Sequence, residues 1–227
     1  FAERSPVSHT KAMNETDLSE ELERLQAMHG EDYGRALWLQ EYECSFEAAL
    51  PGSIWGDCLE KAKKEGRIGI VPLEAGLPVN TAWDLGRTDA TAIWWYQIAL
   101  GSVRLVGYHE SSFKDIPFYG DLLRKEAKER KFTYGTHYLP RDAKFSTLAA
   151  AGLTIHQQMI EQDVGEIRII NSVDHLDGIQ AARATFPFVW LDEARCNIGL
   201  EHLKTYHYEW DEETHTFSTK PEHDDSS

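Results

Sequence analysis

The chain has 227 residues, 41% of them apolar and 11% aromatic, enough to bury a core of one large domain, so wholesale disorder is excluded. Its 38 acidic residues against 23 Lys and Arg give a formal charge of −15, which argues against tight, nonspecific binding of nucleic acid through this chain alone. No run approaches the roughly 20 apolar residues needed to cross a bilayer, and the three cysteines, Cys44, Cys58 and Cys196, form neither a disulfide framework nor a zinc ribbon.

In chain order, Leu18, Leu22, Leu25 and Met28 repeat at helical spacing and predict a short amphipathic helix in a polar leader. A second apolar set follows (Leu37, Trp38, Tyr42, Phe46), then the Pro51-Gly52 break and a helix over 57–65 stopped by Gly66. Residues 1–70 are expected to form a linker and brace, and 71–227 the main domain. Within the latter, 79–84, 91–100 and 103–110 read as three strands joined by short polar turns, an antiparallel meander. Ile116, Tyr119, Leu122, Leu123 and Ala127 lie on one face of a helix, and Arg124, Lys125, Lys128, Arg130 and Lys131 read as its wet face. A strand over 134–139, a helix over 153–162, a strand over 167–171 and helices over 174–184 and 193–204 follow, with a late hairpin at 206–210 and 216–219. Strands alternating with helices after a meander argue an α/β fold with a mixed sheet.

Asp84 ends the first of these strands, beside the punctuation at 86–90, where a carboxylate can meet a cation without burying an unpaired charge. Asp142 follows the strand at 134–139, and Asp224 and Asp225 close the chain after the hairpin. If the strands of Asp84 and Asp142 are neighbours, these acids gather at one rim. Two-metal phosphodiester cleavage needs such a set around two ions about 3.5–4 Å apart, and oxygen donors select Mg²⁺ or Mn²⁺. Asp89, across the turn from Asp84, is a further candidate ligand, while Arg141 and Lys144 flank Asp142 as candidate phosphate contacts. Singly, each Asp reads equally as a turn or cap residue; their conjunction carries the expectation.

The ordered series Gln40-Glu-Tyr-Glu-Cys44, Ala49-Leu-Pro-Gly-Ser-Ile-Trp55, Trp83-Asp-Leu-Gly86, Asp89-Ala-Thr91, Tyr138-Leu-Pro-Arg-Asp142 and Tyr206-His-Tyr-Glu-Trp-Asp211, running to Lys220-Pro-Glu-His-Asp-Asp-Ser-Ser227, resembles the C-terminal nuclease domain of the large terminase subunit of tailed bacteriophages. The resemblance implies an RNase H-like mixed sheet flanked by helices and metal-dependent endonuclease activity on concatemeric double-stranded DNA. It implies Asp84 and Asp142 as the first two motif acids, with two Mg²⁺ or Mn²⁺ ions as cofactors. The third acid is expected to be Asp224, Asp225 or a residue past Ser227, because the family's third motif runs on into a helix with a further His and Asp. Implied partners are duplex DNA, the terminase small subunit, the procapsid portal and an ATPase domain of the same polypeptide, in the host cytoplasm at the portal vertex, with no membrane. No phosphate-binding Gly-x-x-x-x-Gly-Lys-Ser/Thr loop occurs in the chain, so ATP hydrolysis is not expected of it. The absent initiator Met and the abrupt end lead us to expect a piece of a longer protein. Two rival readings are a structure-selective resolvase of the same fold and an acidic docking module that binds the portal or small subunit.

Overall fold

The computed structural model describes residues 7, 13–29, 34–35, 38–39, 42, 52–86, 90–145, 152–171, 173–211 and 216–221. The chain divides into two compact units, one spanning Ala62–Leu200, the other formed by the described parts of Phe1–Lys61 and Glu201–His223.

The larger unit is built on a seven-stranded sheet. Its strands are β1 (Ile68–Gly69), β2 (Val79–Asp84), β3 (Thr91–Ala99), β4 (Ser102–Ser111), β5 (Tyr134–Leu139), β6 (Glu166–Ile169) and β7 (Val189–Asp192), in the spatial order β1-β7-β4-β3-β2-β5-β6. β3 runs against both β2 and β4, which is the predicted meander, and every other pairing is parallel. Six strands therefore end at the same edge of the sheet, and β3 alone begins there. This is an RNase H-like mixed α/β fold.

Alternation decides the two faces. Val79, Thr81 and Trp83 of β2 and Ile93 and Trp95 of β3 are buried on one face. There they meet Ile116, Tyr119 and Leu123 of the helix Ile116–Arg130 and Met159 of the helix Ile155–Glu161. The Trp83 and Tyr119 rings meet edge to face, 5.5 Å between centroids. The Ile116–Arg130 helix starts where Asp115 accepts a bond from the Phe118 amide, with Pro117 in the first turn, and stops where Lys131 turns left-handed.

Three expectations need correction. β7 lies in a stretch left unassigned in the sequence, because four residues ending in an acid carry too little alternation to show. The helix expected over 193–204 begins later, at Asn197, because the Asp192 carboxylate accepts the Arg195 and Val71 amides and its carbonyl accepts Cys196, closing a turn before the helix. Arg130 does not belong to the wet face: its side chain is only 10% exposed and donates to the Val106 carbonyl at 2.9 Å. Cys196 is a buried thiol, as expected of an unpaired cysteine, and burial pushes it up to about 12.

In the smaller unit, the helix Glu15–His29 buries Leu25, and the Trp38 indole donates to the Leu18 carbonyl at 3.0 Å. The late hairpin forms from β8 (Tyr208–Asp211) and β9 (Thr216–Pro221). Ser53 bridges His207, and Ile54 and Tyr208 donate their amides to the Tyr206 and Gly52 carbonyls, tying the segment at 52–54 to the entry of the hairpin.

Candidate metal centre

Asp84 is the last residue of β2 and sits on the exposed side of its alternation, opposite buried Trp83. Beside it, β5 runs parallel in the register Thr81 with His137 and Ala82 with Tyr138. Both strands thus end together, and the chain leaving β5 makes a 3-10 turn, Arg141–Lys144. Buried Ala143 anchors that turn and donates its amide to Pro140, which leaves Arg141, Asp142 and Lys144 exposed around it. The parallel pairing therefore brings Asp84 and Asp142 to one rim on neighbouring strands, with Arg141 and Lys144 alongside Asp142. Asp89, Asp224 and Asp225 lie outside the described residues.

Two side chains that sequence reasoning missed stand on the Asp84 face. Asp84 pairs with Ala92, and Ala92 pairs with Glu110, so the two carboxylates share a cross-strand row. Tyr108, two residues before Glu110, donates its hydroxyl to the Glu110 carboxylate at 2.7 Å. Burial first, then the Glu110 hydrogen bond and the charges of Glu110 and Asp84, push the Tyr108 phenol well up. The phenol therefore stays protonated and acts as a fixed donor at this face. Its ring packs on Trp94 at 4.6 Å between centroids. Gly199 presses on both rings: a β-carbon there would come 2.5 Å from Trp94 and 2.8 Å from Tyr108.

The register that creates this row comes from a β-bulge. From Ala99–Ser102 to Tyr96–Leu105 the pairing is regular, but Trp95 pairs with Gly107, leaving Val106 as an extra residue in β4. Without it, Ala92 would face His109, and Glu110 would project to the other side. The carbonyl of Val106 is the one held by Arg130. A second irregularity, in β5, sits at Gly135, where Asn80 accepts the Thr136 amide and leaves no room for a β-carbon.

Behind Asp84 a buried polar chain joins β2 to β5. The Trp83 indole can only donate, so Thr81 Oγ1 accepts it at 2.6 Å and sends its own proton to His137 Nδ1 at 2.7 Å. His137 Nε2 then donates to the Val164 carbonyl at 3.2 Å. Burial holds the His137 imidazole below its ordinary pKa, in the neutral form this chain of bonds requires.

The donors fit hard divalent cations in kind, being exposed carboxylates at a strand rim. Among the described residues, no three His, Cys, Asp or Glu side chains gather closely enough to hold an ion. Asp84 and Asp142 would accordingly share a cation with at least one donor from elsewhere in the chain.

No protein-family model and no curated protein matches this sequence. Among solved structures, the chain is similar to the large terminase of a thermophilic bacteriophage, with a TM-score of 0.54 and 16% identity over 97% of this chain and 51% of that one. A second crystal form of that protein gives 0.53 with 16% identity, and its complex with ADP 0.52 with 15%; in both the match covers 97% of this chain and 50% of that chain. The chain thus spans about half the length of the solved terminase it matches, and at this identity what it shares is the fold.

Proposed function

We propose that this chain is the nuclease domain of a viral large terminase subunit, a metal-dependent endonuclease that cuts concatemeric double-stranded phage DNA during packaging. The observation that carries the reading is the parallel pairing of β2 with β5, which ends both acid-bearing strands at one rim. The fold shared with the thermophilic phage's large terminase supports it.

In this reading Asp84 and Asp142 hold the cations, and Asp225 or Asp224, with Asp89, completes the set. Two divalent ions, when bound, supply Lewis-acid activation of the attacking water and stabilisation of the leaving oxygen. Asp84 orients the site from the rigid end of a central strand, and Asp142 closes it from a turn anchored in the core. Glu110 and Tyr108 add a carboxylate and a fixed proton donor on the Asp84 side. Arg141 and Lys144 meet the DNA phosphates as point charges. An ATPase domain of the same polypeptide, the small subunit and the portal are the proposed partners, in the host cytoplasm at the portal vertex; with a charge of −15, delivery of DNA by these partners makes up for weak intrinsic affinity.

Plasmid digestion with Mn²⁺, Mg²⁺ or EDTA tests the reading. Cutting that requires both metal and Asp84 is expected, and undiminished cutting by Asp84→Ala would sink it.

A further inference from the structure

Phe113 stands just past the end of β4 with its ring 90% exposed and its backbone left-handed, at φ +57°. That conformation is costly for a residue bearing a β-carbon, most of all a bulky one. Ser112 and Lys114 beside it are exposed too, and the chain re-enters the core only at Ile116, after the Asp115 cap. No aromatic or cation–π contact of Phe113 exists among the described residues, and at 90% exposure it buries little of its surface.

The position of the loop indicates what the ring meets. β4 lies two strands from β2, and Phe113 follows Glu110 by three residues, at the same rim as Asp84. On the other side, half-exposed Phe145 follows the Asp142 turn, at the end of β5. Two aromatic side chains, one exposed and one half-exposed, therefore follow the ends of β4 and β5, on either side of the strand that carries Asp84. Exposed Lys114 and Lys144 are the chain neighbours of these rings, with Arg141 in the same turn as Lys144; Lys114 Nζ lies over the Phe118 ring at 5.2 Å, and Asp84, Glu110, Asp115 and Asp142 stand at the same rim. Under the nuclease reading the duplex lies on this rim, and its stacked bases offer flat apolar faces to an exposed ring.

We propose that Phe113 is a wedge that enters a base step of duplex DNA beside the rim acids, partly unstacking it and fixing the backbone against Asp84 and Asp142. This rests on the nuclease reading above. The left-handed backbone sets the direction in which the side chain leaves the loop, so that part of the geometry is in place before DNA arrives.

The test uses the intact chain with a short duplex carrying 2-aminopurine at its central steps, in Ca²⁺, read by anisotropy and by 2-aminopurine fluorescence. Wild-type protein should raise the fluorescence. Phe113→Ala and Phe113→Gly should bind about tenfold more weakly without the rise, while Phe113→Trp retains both. Phe113→Gly suits the left-handed backbone, so an unchanged or higher melting temperature for that variant separates loss of the ring from loss of the fold. Equal affinity and equal fluorescence for Phe113→Ala and wild type would overturn the wedge, assign the ring to a protein partner and leave Asp84-dependent cutting intact. Absence of both DNA binding and metal-dependent cutting in the wild type would overturn the nuclease reading and the wedge with it.

Discussion

Asp84 and Glu110 leave the same face of the sheet two strands apart, with only the methyl group of Ala92 between them in the row. Their α-carbons are separated by about 10 Å, two strand spacings. Each carboxylate adds to the negative field at the other, and Tyr108 donates into that space. Small Ala92 leaves the gap open; a larger side chain there would fill it.

Asp84→Ala should abolish metal-dependent cleavage while shifting stability by no more than about 0.5 kcal/mol, because the side chain is exposed. Cleavage assays beside urea unfolding check both halves.

Glu110→Gln should weaken Mn²⁺ binding and cleavage by about 10-fold or more, an effect of the size seen for groups that support metal ligands. Tyr108→Phe should do less, since it removes a donor and leaves the charge. Mn²⁺ titration by calorimetry reads the order, and identical affinities in all three proteins would remove Glu110 from the site.

Arg130→Met should cost about 2 kcal/mol, since it strips the donor from the Val106 carbonyl inside the bulge. It should also lower cleavage beyond what stability explains, because loss of the bulge turns Glu110 off the Asp84 face. Denaturant midpoints and residual activity at a temperature where the variant is fully folded separate the two effects.

Gly199→Ala should destabilise by about 1–3 kcal/mol, because its β-carbon overlaps the Trp94 and Tyr108 rings. A blue or red shift in tryptophan emission, with weaker Mn²⁺ binding through displaced Tyr108, accompanies the loss.

His137 gives stability a pH dependence of definite sign. Burial holds its folded pKa below the unfolded value near 6.5, so the neutral form is favoured by folding. The contribution is fully present above the unfolded value and is lost as pH falls from there towards the folded one. Partly buried His109 is shifted the same way and adds to the slope. For each such proton the slope stays within about 1.4 kcal/mol per pH unit. Urea unfolding between about pH 7.5 and 5 should show wild-type stability falling. His137→Gln should start lower, lacking the full set of bonds, and fall less steeply.

Much of the fold was legible in the sequence, because strong local patterns agree with the final packing. The runs at 79–84 and 134–139 coincide with β2 and β5, since β-branched and aromatic residues alternate there and the flanking turn residues stop them. The helix after β4 shows its apolar stripe for the same reason. β1 and β7 were not legible: a strand of two residues and one of four have too few positions to display a period, and they exist because a neighbour supplies the hydrogen bonds.

The candidate site divides along the same line. Residue type and position at a strand end singled out Asp84 and Asp142, and these are properties of the chain itself. Their meeting at one rim required β2 and β5 to pair in parallel, a contact between residues more than fifty positions apart. Glu110 was hidden for a sharper reason. Counting back from the Leu100-Gly101 turn puts it on the wrong face, and only the extra residue Val106, held by Arg130 from the far end of a helix, reverses the parity. Local sequence determined which segments become strands and which acids stand at their ends; tertiary contacts decided the register, because a one-residue bulge inverts every side chain beyond it and leaves no local mark.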